Sequence, residues 1–157
     1  MLDESLLPII SAMPKIELHR HLEGSLRLET LVDLAEETDL ALPRYDIDIL
    51  RPLVQMMPNE ERSASQFLSK FSVLRQFYRS PEVIERITYE IVEDAAKDNI
   101  KYLELRFTPN ALCNISDLTL EDVVPLVCDA GNFAAKQFGI MIRFIVSLNR
   151  HERVELG

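Results

Sequence analysis

The spacing of apolar positions changes period several times along the chain, and each change marks a new element. From Lys15 to His21, apolar and polar residues alternate with period two, the pattern of a strand with one buried face. Ile16 and Leu18 fall on one face of that strand, and Glu17, His19 and His21 on the other. From Leu28 to Thr38 the period lengthens, with Leu28, Leu31, Leu34 and Ala35 at helical spacing, and Leu42-Pro43 supplies a stop. Residues 44–63 contain Pro52 and Pro58 and read as an irregular connection holding at most one short helix. Phe67, Leu68, Phe71, Leu74 and Tyr78 then mark one amphipathic helix with an aromatic face.

Ser80-Pro81-Glu82 is a helix start: a capping serine, proline at the first helical position, and an acid in the first turn. Val83, Ile84, Ile87, Ile91 and Ala95 form its buried stripe, and Asp98-Asn99 its end. Ile100 to Phe107 is short and β-rich, a second strand with Leu103, Leu105 and Phe107 on one face and Tyr102, Glu104 and Arg106 on the other. Thr119-Leu120-Glu121-Asp122 resembles a capping box with Asp in the usual Glu position. The helix that follows carries Val123, Val124, Val127, Ala130, Ala134 and Phe138 and is closed by Gly139. Ile140 to Leu148 is a third, almost continuously apolar strand. Strand, helices, strand, helix, strand is the order of parallel βαβ units. Three parallel strands leave both sheet edges open, so the chain is expected to be the front part of something larger.

Composition narrows the class. The chain has 157 residues, 47% of them hydrophobic, enough for the core of one domain spanning residues 1–157. Its net charge of −9 and lack of a basic block argue against nucleic acid or an anionic membrane as the main partner. The two cysteines, Cys113 and Cys128, do not make a disulfide framework and are expected to be inert buried thiols. The start Met1-Leu2-Asp3-Glu4-Ser5 is acidic and the apolar stretch after it is broken by Pro8, unlike a secretory signal. No segment has the length of a membrane span, and a cytoplasmic protein is expected.

The candidate chemistry lies at the end of the first strand. His19 and His21 are two of only three histidines, and two imidazoles one strand repeat apart on one face reach a single cation together. The competing reading gives them hydrogen-bonding duties alone. Glu17, Glu104, Arg106 and Arg143 are expected to form a charge network that holds the histidines in place, since inward charges need partners. Phe67, Leu68 and Phe71 suit either a core or a pocket wall. His151, in Arg-His-Glu-Arg, is expected in a loop or at the start of a helix. The deaminases of cytidine and nucleic acid carry H-x-E with P-C-x-x-C, and neither motif is present.

The run Pro14-Lys15-Ile16-Glu17-Leu18-His19-Arg20-His21-Leu22-Glu23-Gly24 resembles the opening motif of the adenosine deaminase family, within the metal-dependent amidohydrolases. Similar stretches follow in order: Phe67-Leu68-x-Lys70-Phe71, Tyr89-Glu90, Glu104-Leu105-Arg106-Phe107-Thr108-Pro109 and Asn149-Arg150-His151. The resemblance implies an eight-stranded TIM (β/α)8 barrel of roughly 250 residues, with its active site at the C-terminal strand ends. This chain would supply strands one to three, with extra helices between strands one and two. It implies hydrolytic deamination of adenosine, or a close derivative, to inosine and ammonia, with one zinc ion (Zn2+) per complete site. His19 and His21 match the two first-strand metal ligands. Glu23 stands where the family has an acid that hydrogen-bonds the ribose, commonly Asp, and Phe67, Leu68 and Phe71 match a helix that covers the purine.

The family's later His-Ala-Gly-Glu segment, its water-positioning histidine and its Asp-Asp pair are not found in residues 1–157. The resemblance therefore places no catalytic acid or base in this chain, which is expected to be inactive alone. The expected partner is a small purine nucleoside, with adenine or another adenosine-containing metabolite as alternative substrates. A non-catalytic gene product remains a separate reading, with self-association or a complementing C-terminal portion as the associated partners.

Overall fold

The structure is a computed structural model that describes residues 4–37 and 46–149. The stop at Leu42-Pro43, the end of the first helix at Thr38 and the placement of His151 lie outside the described residues.

Three strands, β1 (Lys15–His21), β2 (Ile100–Phe107) and β3 (Met141–Val146), form one parallel sheet in the order β1-β2-β3. Between β1 and β2 come α2 (Leu28–Glu37), α3 (Ile47–Val54), α4 (Ala64–Leu74) and α5 (Pro81–Lys97). Between β2 and β3 come the short α6 (Pro109–Cys113) and the long α7 (Leu120–Phe138). An N-terminal α1 (Leu7–Ala12) precedes the sheet. Sequence periodicity located both long helices and β2, because their stripes are unbroken. It missed α1, where Pro8 reads as a break yet occupies the first turn that proline favours. β3 is shorter than expected, and Leu148 beyond it is exposed.

The helix starts follow local chemistry. The Ser80 side chain accepts the Val83 N–H at the start of α5. The Thr119–Asp122 pair forms a reciprocal capping box at the start of α7, which closes on Gly139 at φ 67. α5 and α7 pack together over one face of the sheet, where Ile84, Ile87 and Ile91 meet Leu103, Leu105, Phe107, Val123 and Val127. A Cβ at Gly131 of α7 would stand 2.7 Å from the Phe144 ring of β3, so only glycine lets that helix approach so closely. α2 and the residue before it are tied to α5 by charge: Arg27 bonds to Asp94 and Glu93, and Arg86 bridges Asp33 and Glu90.

Two expectations are corrected. The aromatic stripe from Phe67 to Tyr78 is not one helix: α4 ends at Leu74, a 3-10 turn covers Arg75–Phe77, and Tyr78 lies beyond it. Phe77 and Tyr78 are buried while Phe67 and Leu68 are 52% and 61% exposed. β1 likewise lacks an uninterrupted alternation, its register slipping between Glu17 and Arg20. It stands at a sheet edge, and Ile16 and Leu18 are 71% and 63% exposed, with no element covering their side among the described residues.

A candidate metal and purine site at the end of the first strand

The alternation along β1 fails at a bulge. Glu17 pairs with Leu103 and Arg20 with Leu105, so three steps on β1 match two on β2. Ile16 therefore lies beside Tyr102, and His21 beside Arg106, on the open face of the sheet, while Glu17 and Arg20 register with the helix-covered residues. The expected grouping of Glu17 with His21 on one face is thereby overturned. His19 sits inside the bulge with φ 64, the left-handed region. The bulge nevertheless brings the imidazoles together, with ring centroids 5.2 Å apart and planes tilted by 50°.

Of the expected charge network around the histidines one member, Arg106, reaches them, and the other three bond elsewhere. Arg20 pairs with Glu17 at 3.2 Å, Glu104 accepts the Tyr102 hydroxyl, and Arg143 donates to the Ile142 carbonyl. Arg106 instead turns to His21, its Nη1 lying 3.1 Å from Nδ1 and 3.2 Å from Nε2. Burial, then the nearby charges of Arg106, His19 and Arg75, hold His21 below its ordinary value of 6.5. That favours the neutral imidazole, the form that ligates a metal. Strand register, which brings Arg106 opposite His21, is not visible in a single sequence.

Past His21 the chain makes a tight 3-10 turn, Leu22–Gly24. Ser25 Oγ donates to the His21 carbonyl at 2.6 Å, and the Tyr78 hydroxyl donates to the Leu22 carbonyl at 2.8 Å. Glu23 is 1% exposed, and its Oε1 accepts the Thr108 N–H at 3.0 Å, tying the turn to the end of β2. Its Oε2 is buried and makes no hydrogen bond. A Cβ at Gly24 would lie 3.3 Å from the Phe71 ring, so the small residue makes room for the aromatic wall.

That wall encloses a cavity of about 390 Å³ lined by Glu17, Arg20, His21, Phe67, Lys70 and Phe71, among others. Phe71 packs edge-on against both His21 and Phe67, at centroid distances of 6.0 and 5.3 Å. The structure thus brings His21, Phe67 and Phe71 to one cavity and His19 to its edge through His21. Leu68 and Glu23 do not line it. Lys70, buried, donates to Glu60 and to the Pro52 carbonyl and so holds the loop after α3 against α4. A larger hollow of about 620 Å³ between α5 and α7, walled by Tyr89 and Phe133 and several carboxylates, shares no residue with this cavity and contains no histidine.

Among the described residues, no three His, Cys, Asp or Glu side chains stand together as a metal cluster. His19 and His21 fit two of the roughly four positions around a zinc ion. Cys113 and Cys128 are half-buried free thiols raised by burial, not candidate ligands. No helix among the described residues is long and apolar enough to cross a membrane.

The family model for adenosine deaminase matches residues 14–156. The chain belongs to the adenosine deaminase family. An adenosine deaminase from Vibrio vulnificus is 37% identical over 138 residues, covering 88% of this chain and 41% of its own length. One from Clostridium kluyveri is 37% identical over 150 residues, covering 95% of this chain and 42% of its own. The chain therefore spans about two fifths of the length of these two relatives. Among solved structures, a zinc-bound amidohydrolase from Burkholderia ambifaria superposes with a TM-score of 0.77 at 28% identity, over 97% of this chain and 40% of that one. The adenine deaminase of Arthrobacter aurescens gives 0.73 at 27% identity, over 86% and 39%. The three parallel strands and their helices are thus part of the (β/α) barrel of this deaminase family.

Proposed function

We propose that this chain is the N-terminal portion, strands one to three, of a metal-dependent purine deaminase, which replaces the 6-amino group of adenosine with oxygen from water and releases ammonia. The observation that carries the reading is the imidazole pair of His19 and His21 in the segment matched to the family, beside an aromatic-walled cavity. The zinc-bound relative from Burkholderia ambifaria supports a divalent metal for the complete site.

His19 and His21 would hold that metal through neutral ring nitrogens. When bound, zinc lowers the pKa of a coordinated water and supplies a hydroxide nucleophile. The remaining work of this chain is positional. Phe67 and Phe71 offer flat apolar surface to a purine ring. Burial, and after it the charge of Arg106, lowers the His21 pKa and so favours its neutral form, and the turn at residues 22–25 holds it at the strand end. We assign no residue of this chain to the proton transfers, and we propose that residues 1–157 alone do not turn over substrate.

A second substrate reading has one observation in its favour. Glu23 is buried against Thr108 and does not line the cavity, so this acid does not by itself select for a ribose. Adenine and modified adenosines then become candidate substrates, in keeping with the adenine deaminase and the N6-methyl-AMP deaminase of Arabidopsis thaliana among similar structures.

The test is ammonia release by the zinc-loaded full-length gene product from adenosine, deoxyadenosine, adenine and N6-methyl-AMP. Turnover of at least one of them, abolished in His19→Ala and His21→Ala, is the expected result. Zinc-loaded protein that releases ammonia from none of the four overturns the reading.

A further inference from the structure

The strand end that carries His21 is held from behind by a residue that touches no candidate ligand. Tyr78 is fully buried beside the equally buried Phe77, so an aromatic ring at this place is a core requirement. Its hydroxyl is a separate matter. A phenylalanine would fill the same space, and what the tyrosine adds is one hydrogen bond, 2.8 Å long, to the carbonyl of Leu22.

Leu22 is the residue directly after His21, and its carbonyl also accepts the Ser25 N–H at 3.3 Å. The preceding carbonyl, that of His21, is held by Ser25 Oγ at 2.6 Å. Both peptide groups that follow the histidine Cα are therefore fixed, one from within the turn and one from the segment after α4. The donor is secure: burial and the neighbouring Glu23 charge push the Tyr78 phenol well above 10, so it stays protonated. Lost from the tyrosine side, the Leu22 peptide gains freedom to rotate, and the rotation is passed to the His21 Cα–Cβ direction. Ligand geometry tolerates only about 0.5 Å or 10–20° of such drift.

We infer that Tyr78 is a positioning residue for His21, acting through the Leu22 carbonyl to aim the imidazole at the metal. This rests on the proposed role of His21 as a metal ligand. It assigns a function in the site to a helix-side residue that lies outside the sheet and the cavity lining.

The test uses the full-length protein and compares Tyr78→Phe with Thr88→Val. Thr88 is also fully buried, and its hydroxyl makes one hydrogen bond to a carbonyl, that of Ile84, within α5. Each variant thus loses one buried hydroxyl bond, but only one of the bonds lies next to His21. Zinc retention is read by competition with a chelator, and ligand geometry by the visible absorption of the cobalt-substituted protein. Tyr78→Phe is expected to lose roughly fivefold to tenfold in zinc affinity, below the range for direct partners of a ligating histidine, and to shift the cobalt bands. Thr88→Val is expected to match the parent in both. Placing 4-aminophenylalanine at position 78 restores a donor and should recover the parent spectrum. Equal zinc loss in both variants, an unchanged cobalt spectrum in Tyr78→Phe, or failure of the amino analogue to restore it overturns the inference. A parent protein that binds no zinc overturns the ligand role of His21 instead, and the two failures are thereby distinct.

Discussion

The guanidinium of Arg106 lies against the ring of His21, 3.1 Å from Nδ1 and 3.2 Å from Nε2. A cation this close disfavours a second positive charge on the imidazole, adding to the effect of burial. In the metal-free chain, His21 is expected to titrate below 6.5 by NMR, and Arg106→Gln to move it upward. The folded state binds fewer protons here than the unfolded state. Stability should therefore fall as pH drops from 6.5 toward the lower folded value, and level off below it. Arg106→Gln should shrink that loss in denaturation curves recorded across the same range. A titration unchanged by the substitution would remove Arg106 from the account.

Glu23 distinguishes length from charge. Its Oε1 reaches the Thr108 N–H at 3.0 Å from a fully buried site. Aspartate is one methylene shorter and loses that reach, so Glu23→Asp should cost about 1–2 kcal/mol in urea unfolding. Glu23→Gln keeps a carbonyl for Thr108 and should cost less than Glu23→Asp. The reverse order would mean that the charge, not the bond, matters at this position.

Acid stability should depend on the clamp between α2 and α5. Arg27, first, and Lys97 hold the Glu93 carboxyl below its ordinary 4.5. A depressed folded-state carboxyl contributes stability above its unfolded value, and that stability is lost as pH falls through the lower folded value. Arg27→Gln should lower the denaturation midpoint at neutral pH and flatten the decline below 4.5. Parallel acid limbs for the two proteins would show that this ion pair does not couple to folding.

Gly131→Ala tests the contact between α7 and β3. Its methyl would stand 2.7 and 2.9 Å from two carbons of the Phe144 ring and 3.2 Å from Ile142 Cδ1. The intrinsic gain in helix propensity, up to about 1 kcal/mol, opposes an overpacking cost of roughly 1–3 kcal/mol. Net destabilisation in thermal unfolding is the expected sign. A stabilised variant would show that the Phe144 ring turns aside freely.

Much of the architecture was legible because its signals are local. The capping chemistry of Ser80 and Thr119, the Ile84, Ile87 and Ile91 stripe and the β2 alternation each use neighbours within a few residues. The histidine pair was legible for the same reason, being two residues apart. Arg106 was legible as one of four charges expected around the histidines, but the pairings themselves were not. Arg106 meets His21 across 85 positions and Tyr78 meets Leu22 across 56, and both pairings follow from strand register and helix docking. The break in the aromatic stripe at Leu74 and the bulge in β1 were hidden too. Periodicity presumes an element that continues unchanged, and each of these features is a departure from one.

The left-handed backbone at His19 has a consequence for how this strand tolerates change. A non-glycine residue at φ 64 costs on the order of 1 kcal/mol relative to glycine. The folding of the strand end and the proposed metal-ligand role of His19 therefore favour different amino acids at one position. His19→Gly should fold more tightly than the parent while removing half of the imidazole pair. Residue 19 is where a search for robustness alone would discard the chemistry first.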